Sequence, residues 1–387
     1  MADVKEQLIS LLRRSLCGTA LTDAEKEGLN TQSLGTIYAL AKSHDLAHMV
    51  ADALYAEGIE AESLVAEKLQ KAQMLAMFRY TKTQYDFEML CEALETAQIP
   101  HLPLKGSVLR DYYPSPELRT SCDIDVLVSP DDLERAIAVL TEELGYRMER
   151  RYSHDVSLFS PSEIHVELHF DLLEKDEKVG EVLSSVWETG KVAEGKSYQY
   201  QMSHEMFAVY HIAHMAEHFM SGGCGVRPFL DLWVMKHKMG YDANKTFELL
   251  RACGLQDFAK GAMALSDVWL AGDAHTALTR EIEDYVMGAG VYGTVENKIA
   301  MTQSTKKEGK LRYLWKRIFL PYGRLKQFYP KLENHPVLYP YYTVKRWIWF
   351  LGRKDKKRAW HELQASGKLS QDKKERISAL CDALDLK

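Results

Sequence analysis

Two aspartates, Asp123 and Asp125, lie two positions apart in an otherwise apolar stretch, Asp-Ile-Asp-Val-Leu-Val, at residues 123–128. Side chains two apart on a β-strand point to the same face, so this pair would project together. Two carboxylates that close repel each other unless a cation lies between them, and carboxylate oxygens are ligands that Mg²⁺ prefers. The spacing therefore indicates a metal site, although Asp-x-Asp also occurs on ordinary exposed strands.

A third carboxylate, Glu167, stands between Val166 and Leu168 on a predicted strand at 164–170. That strand could lie beside the Asp123–Asp125 strand and complete a set of three ligands. The alternation of His165, Glu167 and His169 fits a solvated strand face equally well. Periodicity alone leaves the two interpretations open.

The sequence Lys105-Gly106-Ser107 falls between a predicted strand and a short predicted helix. A glycine there lets backbone amides approach a phosphate, the helix N-terminus adds partial positive charge, and the serine hydroxyl adds a donor. The turn is a weak signal alone, and its position ahead of the carboxylates makes it informative.

Taken in order, the Gly-Ser turn, Asp-Ile-Asp-Val and Val-Glu-Leu resemble the pattern of the DNA polymerase β-like nucleotidyltransferase superfamily. The longer string PLKGSVLRDYYPSPELRTSCDIDVLVSPDDL, followed by LGY and VELHFDL, resembles an uncharacterised bacterial nucleotidyltransferase family. The resemblance extends from about Leu40 to Asp231. The 16 residues between Gly106 and Asp123 are more than compact members of the superfamily use.

The resemblance implies a metal site in which Asp123 and Asp125 hold Mg²⁺ on a nucleoside triphosphate. Glu167 would complete a second metal site and help to deprotonate the acceptor hydroxyl. The chemistry would be in-line attack on the α-phosphorus with release of pyrophosphate.

The resemblance also implies a set of phosphate-binding and substrate-binding residues. Ser107 and the amides around Gly106 would bind the β- and γ-phosphates, and Lys105 and Arg119 would add positive charge. Arginine suits bidentate contact with phosphate. Arg227 and Asp231 match the family's segment at a helix start, where they would bind substrate or form a mutual ion pair.

Three histidines, His211, His214 and His218, fall on one face of a predicted helix. Their spacing could serve zinc, but such histidines also pack at a domain seam. Because this helix resembles the family's second characteristic segment, contact of His214 with nucleotide or acceptor is favoured over metal binding, while packing at a domain seam stays the stronger alternative.

The elements that must position these residues form an α/β (α+β) fold, in which a small mixed-sheet nucleotidyltransferase domain is flanked by helical regions. The expected divisions are 1–80 (helical), 81–195 (catalytic), 196–300 (helical, closing the cleft) and 301–387 (basic, aromatic and helical). Helices are predicted at 65–97, 106–112, 130–144, 203–220 and 228–239, and strands at 99–104, 122–128, 146–150, 156–159 and 164–170. Pro321, Pro330, Pro336 and Pro340 are expected to divide the closing region into short helices.

Charge is distributed unevenly over the 387 residues. Residues 306–358 contain 16 Lys or Arg against 3 Asp or Glu, so they carry +13, and the rest of the chain carries −19. Basic residues mixed with aromatics suit single-stranded nucleic acid or a membrane surface. The alternative is that the aromatics form the core of a helical region whose lysines are solvated.

Six scattered cysteines without a CxxC pair fit neither a disulfide framework nor a zinc ribbon, and reduced, partly buried thiols are expected. The apolar runs stop short of the roughly 20 residues of a membrane span, so no transmembrane segment is expected. With no signal-peptide pattern at the start, the expected location is cytoplasmic.

The sequence thus predicts a Mg²⁺-dependent nucleotidyltransferase, with Mn²⁺ as an alternative metal and ATP as the default nucleotide. Its partners would be a nucleoside triphosphate and a hydroxyl acceptor, which could be a small molecule, a protein side chain or an RNA end. Two other functions stay open. One is a non-catalytic nucleotide-binding or scaffold protein on the same fold, and the other is an RNA-modifying transferase that uses residues 306–358.

Overall fold

The computed structural model describes residues 3–172, 177–291, 293–306, 319–333, 335–352 and 371–386. The chain divides into two compact units. The first consists of residues 1–217 and 224–291, and the second of residues 218–223 and 292–387. The predicted catalytic residues all belong to the first unit.

A five-stranded mixed sheet lies in the first unit. Its strands are β1 (His101–Pro103), β2 (Asp123–Val128), β3 (Arg147–Arg151), β4 (Asp155–Phe159) and β5 (His165–His169). Their order is β1-β2-β5-β4-β3, with β2 parallel to β5 and the other neighbours antiparallel. A small antiparallel pair, β6 (Lys191–Val192) and β7 (Tyr200–Gln201), follows. The α+β class and the predicted strands are confirmed.

Helices make up most of the remaining described chain. In order they are α1 (Val4–Cys17), α2 (Asp23–Gly28), α3 (Thr31–Ser43), α4 (Ala47–Ala56), α5 (Ser63–Thr96), α6 (Gly106–Leu109), α7 (Leu133–Ala138), α8 (Glu177–Leu183), α9 (Val186–Thr189), α10 (His204–Met220), α11 (Arg227–Val234), α12 (Ala243–Ala252), α13 (Gln256–Leu270), α14 (Ala277–Met287), α15 (Val295–Lys306), α16 (Tyr322–Phe328), α17 (Tyr339–Gly352) and α18 (Gln371–Ala383). Short 3-10 turns at Arg110–Tyr112 and Pro130–Asp132, and π turns at Val139–Glu143 and Met235–Met239, extend α6, α7 and α11 to the predicted lengths.

Alternation along the strands gives the sheet one apolar and one polar face. Ile124, Val126 and Val128 of β2, with Val166 and Leu168 of β5, belong to one buried core cluster. That cluster also contains buried side chains of α5 and α7, among them Leu90, Leu94, Leu133 and Ala136. Because successive strand side chains point to opposite faces, the acidic and histidine side chains of β2 and β5 lie on the face away from this core.

Helix ends follow the predicted signals. The Ser129 hydroxyl accepts a hydrogen bond from the Asp131 amide at 3.3 Å, and Pro130 begins the turn that leads into α7. Gly145 has φ +70°, a left-handed conformation that favours glycine and ends the helix after the π turn.

The described part of the basic closing region contains α16 and α17, around a small core of Leu325, Leu332 and Tyr342. Tyr329 and Tyr342 stack with ring centroids 4.6 Å apart. The expectation that Pro340 interrupts the helices is wrong, because Pro340 is the second residue of α17. Proline is tolerated there, since first-turn amides have no partner within the helix. Residues 307–318, 334 and 353–358 of the predicted interaction segment lie outside the described residues.

The cysteines are in the reduced form that the sequence predicts. All six cysteines are free thiols, and Cys91, Cys224, Cys253 and Cys381 are buried. Among the described residues, no helix has the length and apolar character that crossing a membrane requires.

Glu95 near the end of α5 generates a stability prediction. Its carboxylate accepts hydrogen bonds from the amides of Ser197, Tyr198 and Gln199 at 2.6, 3.0 and 2.9 Å, which fastens this segment beside β1. We expect Glu95→Ala to lower the free energy of unfolding by about 2 kcal/mol, because hydrogen bonds to a charged group are stronger than neutral ones. Urea denaturation measures the change.

Glu92→Ala removes an exposed carboxylate of the same helix and is the matched control, with an expected change below about 0.5 kcal/mol. Burial raises the pKa of Glu95, but the three amide donors outweigh it and hold the pKa below its ordinary value. The contribution of Glu95 to the free energy of unfolding is therefore fully present at a pH above its ordinary, unfolded-state pKa. It is lost as the pH falls through the lower pKa of Glu95 in the folded state. Equal stability of the two variants at neutral pH would contradict the assignment.

Candidate active site

The parallel pairing of β2 with β5 assembles the acidic residues. Asp123 lies opposite His165, Asp125 opposite Glu167, and Leu127 opposite His169. Glu167 therefore points to the same face as the two aspartates and is half-buried there. This register answers the question that periodicity left open, because Glu167 belongs to the acidic cluster and not to a separate solvated face.

Two overlapping groups of metal-ligand type result. The ligand atoms of Asp123, His165 and Glu167 all lie within 4.8 Å of one another, and so do those of Asp125, Glu167 and His169. The Ser157 hydroxyl of β4 lies 2.8 Å from His165 Nε2, which fixes the orientation of that ring. Carboxylates suit Mg²⁺ and Mn²⁺, so this donor set fits the predicted divalent ion.

Two cationic side chains already lie among these carboxylates. Lys105 Nζ is 2.8 Å from Asp125 Oδ1 and 3.7 Å from Glu167 Oε2. His169 Nε2 is 3.0 Å from Asp125 Oδ1 and 3.4 Å from Glu167 Oε2. The ammonium of Lys105 thus stands between two of the three acidic residues, as a bound cation would.

The electrostatics of the cluster follow from burial and from these neighbours. Burial and the Asp125 charge raise the pKa of Asp123 to about 6, against the opposing effect of Lys105. Burial would also raise the pKa of Asp125, but Lys105 and His169 outweigh it and hold that pKa below its ordinary value. Burial would lower the pKa of His169, but its hydrogen bonds to Asp125 and Glu167 raise it to about 9. Asp125 is consequently the fixed negative charge of the pair, and Asp123 is the carboxylate that lacks sufficient positive charge around it.

The Lys105-Gly106-Ser107 turn lies against β2. The Leu104 amide donates to the Asp125 carbonyl at 3.0 Å, and Lys105 has φ +46°, a conformation that costs energy in a residue with a side chain. A Cβ on Gly106 would approach Arg119 Nη1 to 3.3 Å and Ser121 Cβ to 3.2 Å, so a side chain at this position would need these neighbours to shift by a few tenths of an ångström.

Ser107 Oγ is buried and has no hydrogen-bond partner among the described residues. A buried hydroxyl left without a partner costs free energy, so this donor is available to a ligand. The amides of Ser107 and Val108 donate within the turn, to the carbonyls of Leu104 and Lys105 at 3.2 Å. The hydroxyl of Ser107, and not its amide, is the free group at this position.

Arg119 forms a buried ion pair with Asp231. Its Nε and Nη2 donate to the two carboxylate oxygens at 2.7 and 2.8 Å, and Nη1 donates to the Thr120 carbonyl at 2.8 Å. The Tyr113 hydroxyl donates to the same carboxylate at 2.7 Å. Burial would raise the pKa of Asp231, but Arg119 outweighs it and lowers that pKa. In this arrangement the guanidinium, expected to bind phosphate, is directed to protein oxygens.

Arg227 lies one turn before Asp231 on α11 but pairs elsewhere. Its Nη2 donates to Asp45 Oδ2 at 2.8 Å and to the Thr120 hydroxyl at 3.2 Å. The hypothesis of a mutual Arg227–Asp231 ion pair is therefore wrong. The reason is that Asp231 points into the core towards Arg119, whereas Arg227 reaches the segment between α3 and α4.

Among the described residues, the histidines of α10 belong to neither group of metal-ligand type. His211 is buried, with Nε2 3.3 Å from the Pro228 carbonyl, and the rings of His214 and Tyr210 lie 6.2 Å apart. Within the described residues, the metal-ligand groups are the two on β2 and β5, so the zinc alternative for His211, His214 and His218 finds no support.

Tyr210 is a candidate residue that the sequence reasoning missed. Its side chain is 1% exposed, and its hydroxyl has no hydrogen-bond partner in the part of the chain that the structure describes. Burial raises the pKa of Tyr210, and the charge of Lys105 opposes this effect. The carboxylates of Asp125, Glu167 and Asp123 raise the pKa further, so the ring lies within electrostatic range of the cluster. The sequence does contain one feature that could have identified Tyr210. It lies four residues before His214, on the same face of α10.

The Arg119–Asp231 pair generates a second stability prediction. Asp231→Asn leaves a buried guanidinium without its counter-charge, and we expect a loss of about 3–5 kcal/mol in the free energy of unfolding. Asp257→Asn on α13, which breaks an exposed pair with Lys260, is the control, with an expected change below about 0.5 kcal/mol. Urea unfolding curves measure the free energy of unfolding of both variants. Equal losses in the two variants would show that the buried Arg119–Asp231 pair does not stabilise the fold.

Comparison with known proteins agrees with this geometry. The family model described as an uncharacterised nucleotidyltransferase matches residues 30–271, which is more than half of the chain and includes every predicted site residue. No curated protein and no solved structure matches the chain. The match supports nucleotidyl transfer as the general reaction and confirms the predicted resemblance. The chain therefore belongs to the family of uncharacterised nucleotidyltransferases.

Proposed function

We propose that the protein is a Mg²⁺-dependent enzyme that transfers a nucleoside monophosphate from a nucleoside triphosphate, by default ATP, to a hydroxyl acceptor. The observation that carries the proposal is the convergence of Asp123, Asp125 and Glu167 on one sheet face, in two overlapping groups of metal-ligand type. Family membership supports the reaction class. A protein that merely binds nucleotide would have no need of all three carboxylates.

The three carboxylates would hold the divalent ions, with Mn²⁺ as an alternative metal. Bound there, the ions would neutralise charge on the triphosphate and on the transferring phosphoryl group. The chain's own groups would orient the substrates. Ser107 would donate its unpartnered hydroxyl to a phosphate oxygen, and Lys105 would add positive charge from the same turn.

The transfer itself forms one bond and breaks one. The acceptor oxygen bonds to the α-phosphorus as the bond from that phosphorus to the oxygen bridging the β-phosphorus breaks. Pyrophosphate leaves with the bonding pair, and Glu167 accepts the proton of the acceptor hydroxyl. Tyr210 would donate its hydroxyl to a substrate oxygen above the cluster, with His214 beside it as the second contact from α10.

Substrate binding would depend indirectly on three residues that hold the loop before β2 in place: Arg119, Asp231 and Arg227. Arg119 and Asp231 join the loop before β2 to α11, and Arg227 joins α11 to Asp45. A shift of either contact would move the loop that carries the Gly106 neighbours Arg119 and Ser121. We propose that these residues set the width of the cleft in which the triphosphate binds.

The alternative of an RNA-modifying enzyme that uses residues 306–358 has less support. In the described part of that region, Tyr329, Tyr339 and Tyr342 pack around a small core, as expected if the aromatics are structural. Label transfer to RNA in the assay below would restore this alternative.

Substitution of the carboxylates tests the proposed reaction. We expect Asp123→Asn, Asp125→Asn and Glu167→Gln each to lower activity by at least about 100-fold, because loss of one group that stabilises charge in the transition state has that effect. The readouts are pyrophosphate release and label transfer from an α-³²P nucleoside triphosphate, with Mg²⁺ and a cell extract as the source of acceptors.

Glu142→Gln neutralises an exposed carboxylate of the same unit and should leave activity unchanged. Omission of Mg²⁺ should abolish label transfer and Mn²⁺ should restore it. Equal label transfer by the wild type and the three cluster variants would refute the enzymatic proposal.

Two buried tyrosines provide a matched pair for the role of Tyr210. We expect Tyr210→Phe to lower kcat/KM by about 10-fold without loss of stability, because its hydroxyl has no hydrogen-bond partner within the described chain. Tyr113→Phe should instead lower the free energy of unfolding by about 1.5 kcal/mol, since Tyr113 donates to a buried carboxylate. Steady-state kinetics and urea unfolding separate the two effects. Unchanged kinetics in Tyr210→Phe would exclude Tyr210 from the site.

A further inference from the structure

A cavity of about 550 Å³ lies in the first unit, between α3, α4 and α5 and against Thr120. Its walls carry four cationic side chains, Lys42, Lys68, Lys71 and Arg79, against a single carboxylate, Asp45. We call this cavity the cationic groove. Its volume falls within the range of small-molecule sites.

The one carboxylate of the groove is already neutralised. Asp45 Oδ2 accepts from Arg227 at 2.8 Å, and Asp45 Oδ1 accepts from Arg79 at 3.3 Å. Arg227 Nε is buried and has no hydrogen-bond partner among the residues described. The groove therefore has an excess of positive charge that internal ion pairs do not satisfy.

The lysines face the groove from two helices. No carboxylate of the described chain forms an ion pair with Lys42, Lys68 or Lys71. Lys68 Nζ lies 5.8 Å from the centre of the Tyr38 ring, at an aromatic and apolar wall. A ligand that fits has a multiply charged anionic group and an organic part that contacts this wall.

The cationic groove lies close to the acidic cluster. Thr120 lines the groove and precedes Asp123 by three residues, so their Cα atoms are at most about 11 Å apart. The Thr120 edge of the groove is thus within reach of a small molecule that is bound at the acidic cluster.

We propose that the cationic groove binds the anionic end of the acceptor, and that this acceptor is an organic phosphate that carries the receiving hydroxyl. The inference rests on the proposed function, since it identifies the acceptor of that reaction. Phosphate is favoured over a carboxylate because a dianion makes fuller use of the three unpaired lysines.

The nucleotide has a separate place, on the turn that follows β1. Its phosphates are assigned to Ser107 and Lys105, on the turn held to β2 by the Leu104 amide. Since the nucleotide and the acceptor must both be present for transfer, the groove supplies the second of the two substrate sites.

The test uses the full-length protein and the double variant Lys68→Glu/Lys71→Glu. Both lysines are exposed, so charge reversal should leave the fold intact. Lys191→Glu/Lys196→Glu, two exposed lysines elsewhere in the first unit, is the matched control. Circular dichroism and urea unfolding verify that both variants are folded.

The first measurement is binding, which does not depend on turnover. Inorganic phosphate is titrated against each protein by ³¹P NMR, and a non-hydrolysable ATP analogue with Mg²⁺ is titrated by calorimetry. We expect the groove variant to bind phosphate at least 5-fold more weakly than the wild type and the control, with the affinity for the ATP analogue unchanged within 2-fold. Equal phosphate affinity, or a parallel loss of nucleotide affinity, would overturn the assignment of the groove.

The second measurement is label transfer from the α-³²P nucleotide to a small-molecule extract, divided into phosphatase-treated and mock-treated halves, with the phosphatase removed before assay. We expect the mock-treated half to be labelled by the wild type and the control, at least 10-fold less by the groove variant, and the phosphatase-treated half not to be labelled. Equal labelling of both halves would overturn the organic-phosphate acceptor, and so would transfer of the label to RNA or protein in the whole cell extract. If the wild type labels nothing, the proposed reaction has failed, and the phosphate titration still decides whether the groove binds anions.

Discussion

The parallel pairing of β2 with β5 is the interaction on which the site depends. It places Asp125 directly opposite Glu167 and brings Asp123 beside both, on the sheet face opposite the apolar core. Carboxylates so close would repel, and the structure limits this repulsion with the ammonium of Lys105 and the ring of His169. A divalent cation, the proposed ligand of this face, would limit the repulsion in the same way.

The surroundings of the cluster are held by two ion pairs that cross long stretches of sequence. Arg119 and Asp231 fasten the loop before β2 to α11, and Arg227 fastens α11 to Asp45 after α3. These pairs use charges that would otherwise be free to contact phosphate. Three polar groups stay buried without a hydrogen-bond partner among the described residues: the hydroxyls of Ser107 and Tyr210, around the acidic cluster, and the Nε of Arg227, beside the cationic groove.

The distribution of charge gives the two proposed substrates different environments. A nucleotide at the acidic cluster would need cations beside the carboxylates, whereas the cationic groove would bind an anion without a metal. A site for an activated nucleotide beside a site for a phosphorylated acceptor would make the reaction selective through charge.

The sequence by itself determined the local features. The alternation around Asp123 and Asp125, the turn at Gly106, the cap at Ser129 and the long helix α5 each follow from neighbouring residues, and each is confirmed. The tertiary structure decided the face of Glu167, the partners of Arg119 and Arg227, and the approach of Tyr210 to the cluster. Those contacts join residues tens to more than a hundred positions apart, as in the case of Arg119 and Asp231. The packing of whole helices against the sheet determines which charged side chains form ion pairs with one another. No local pattern of residues contains that information.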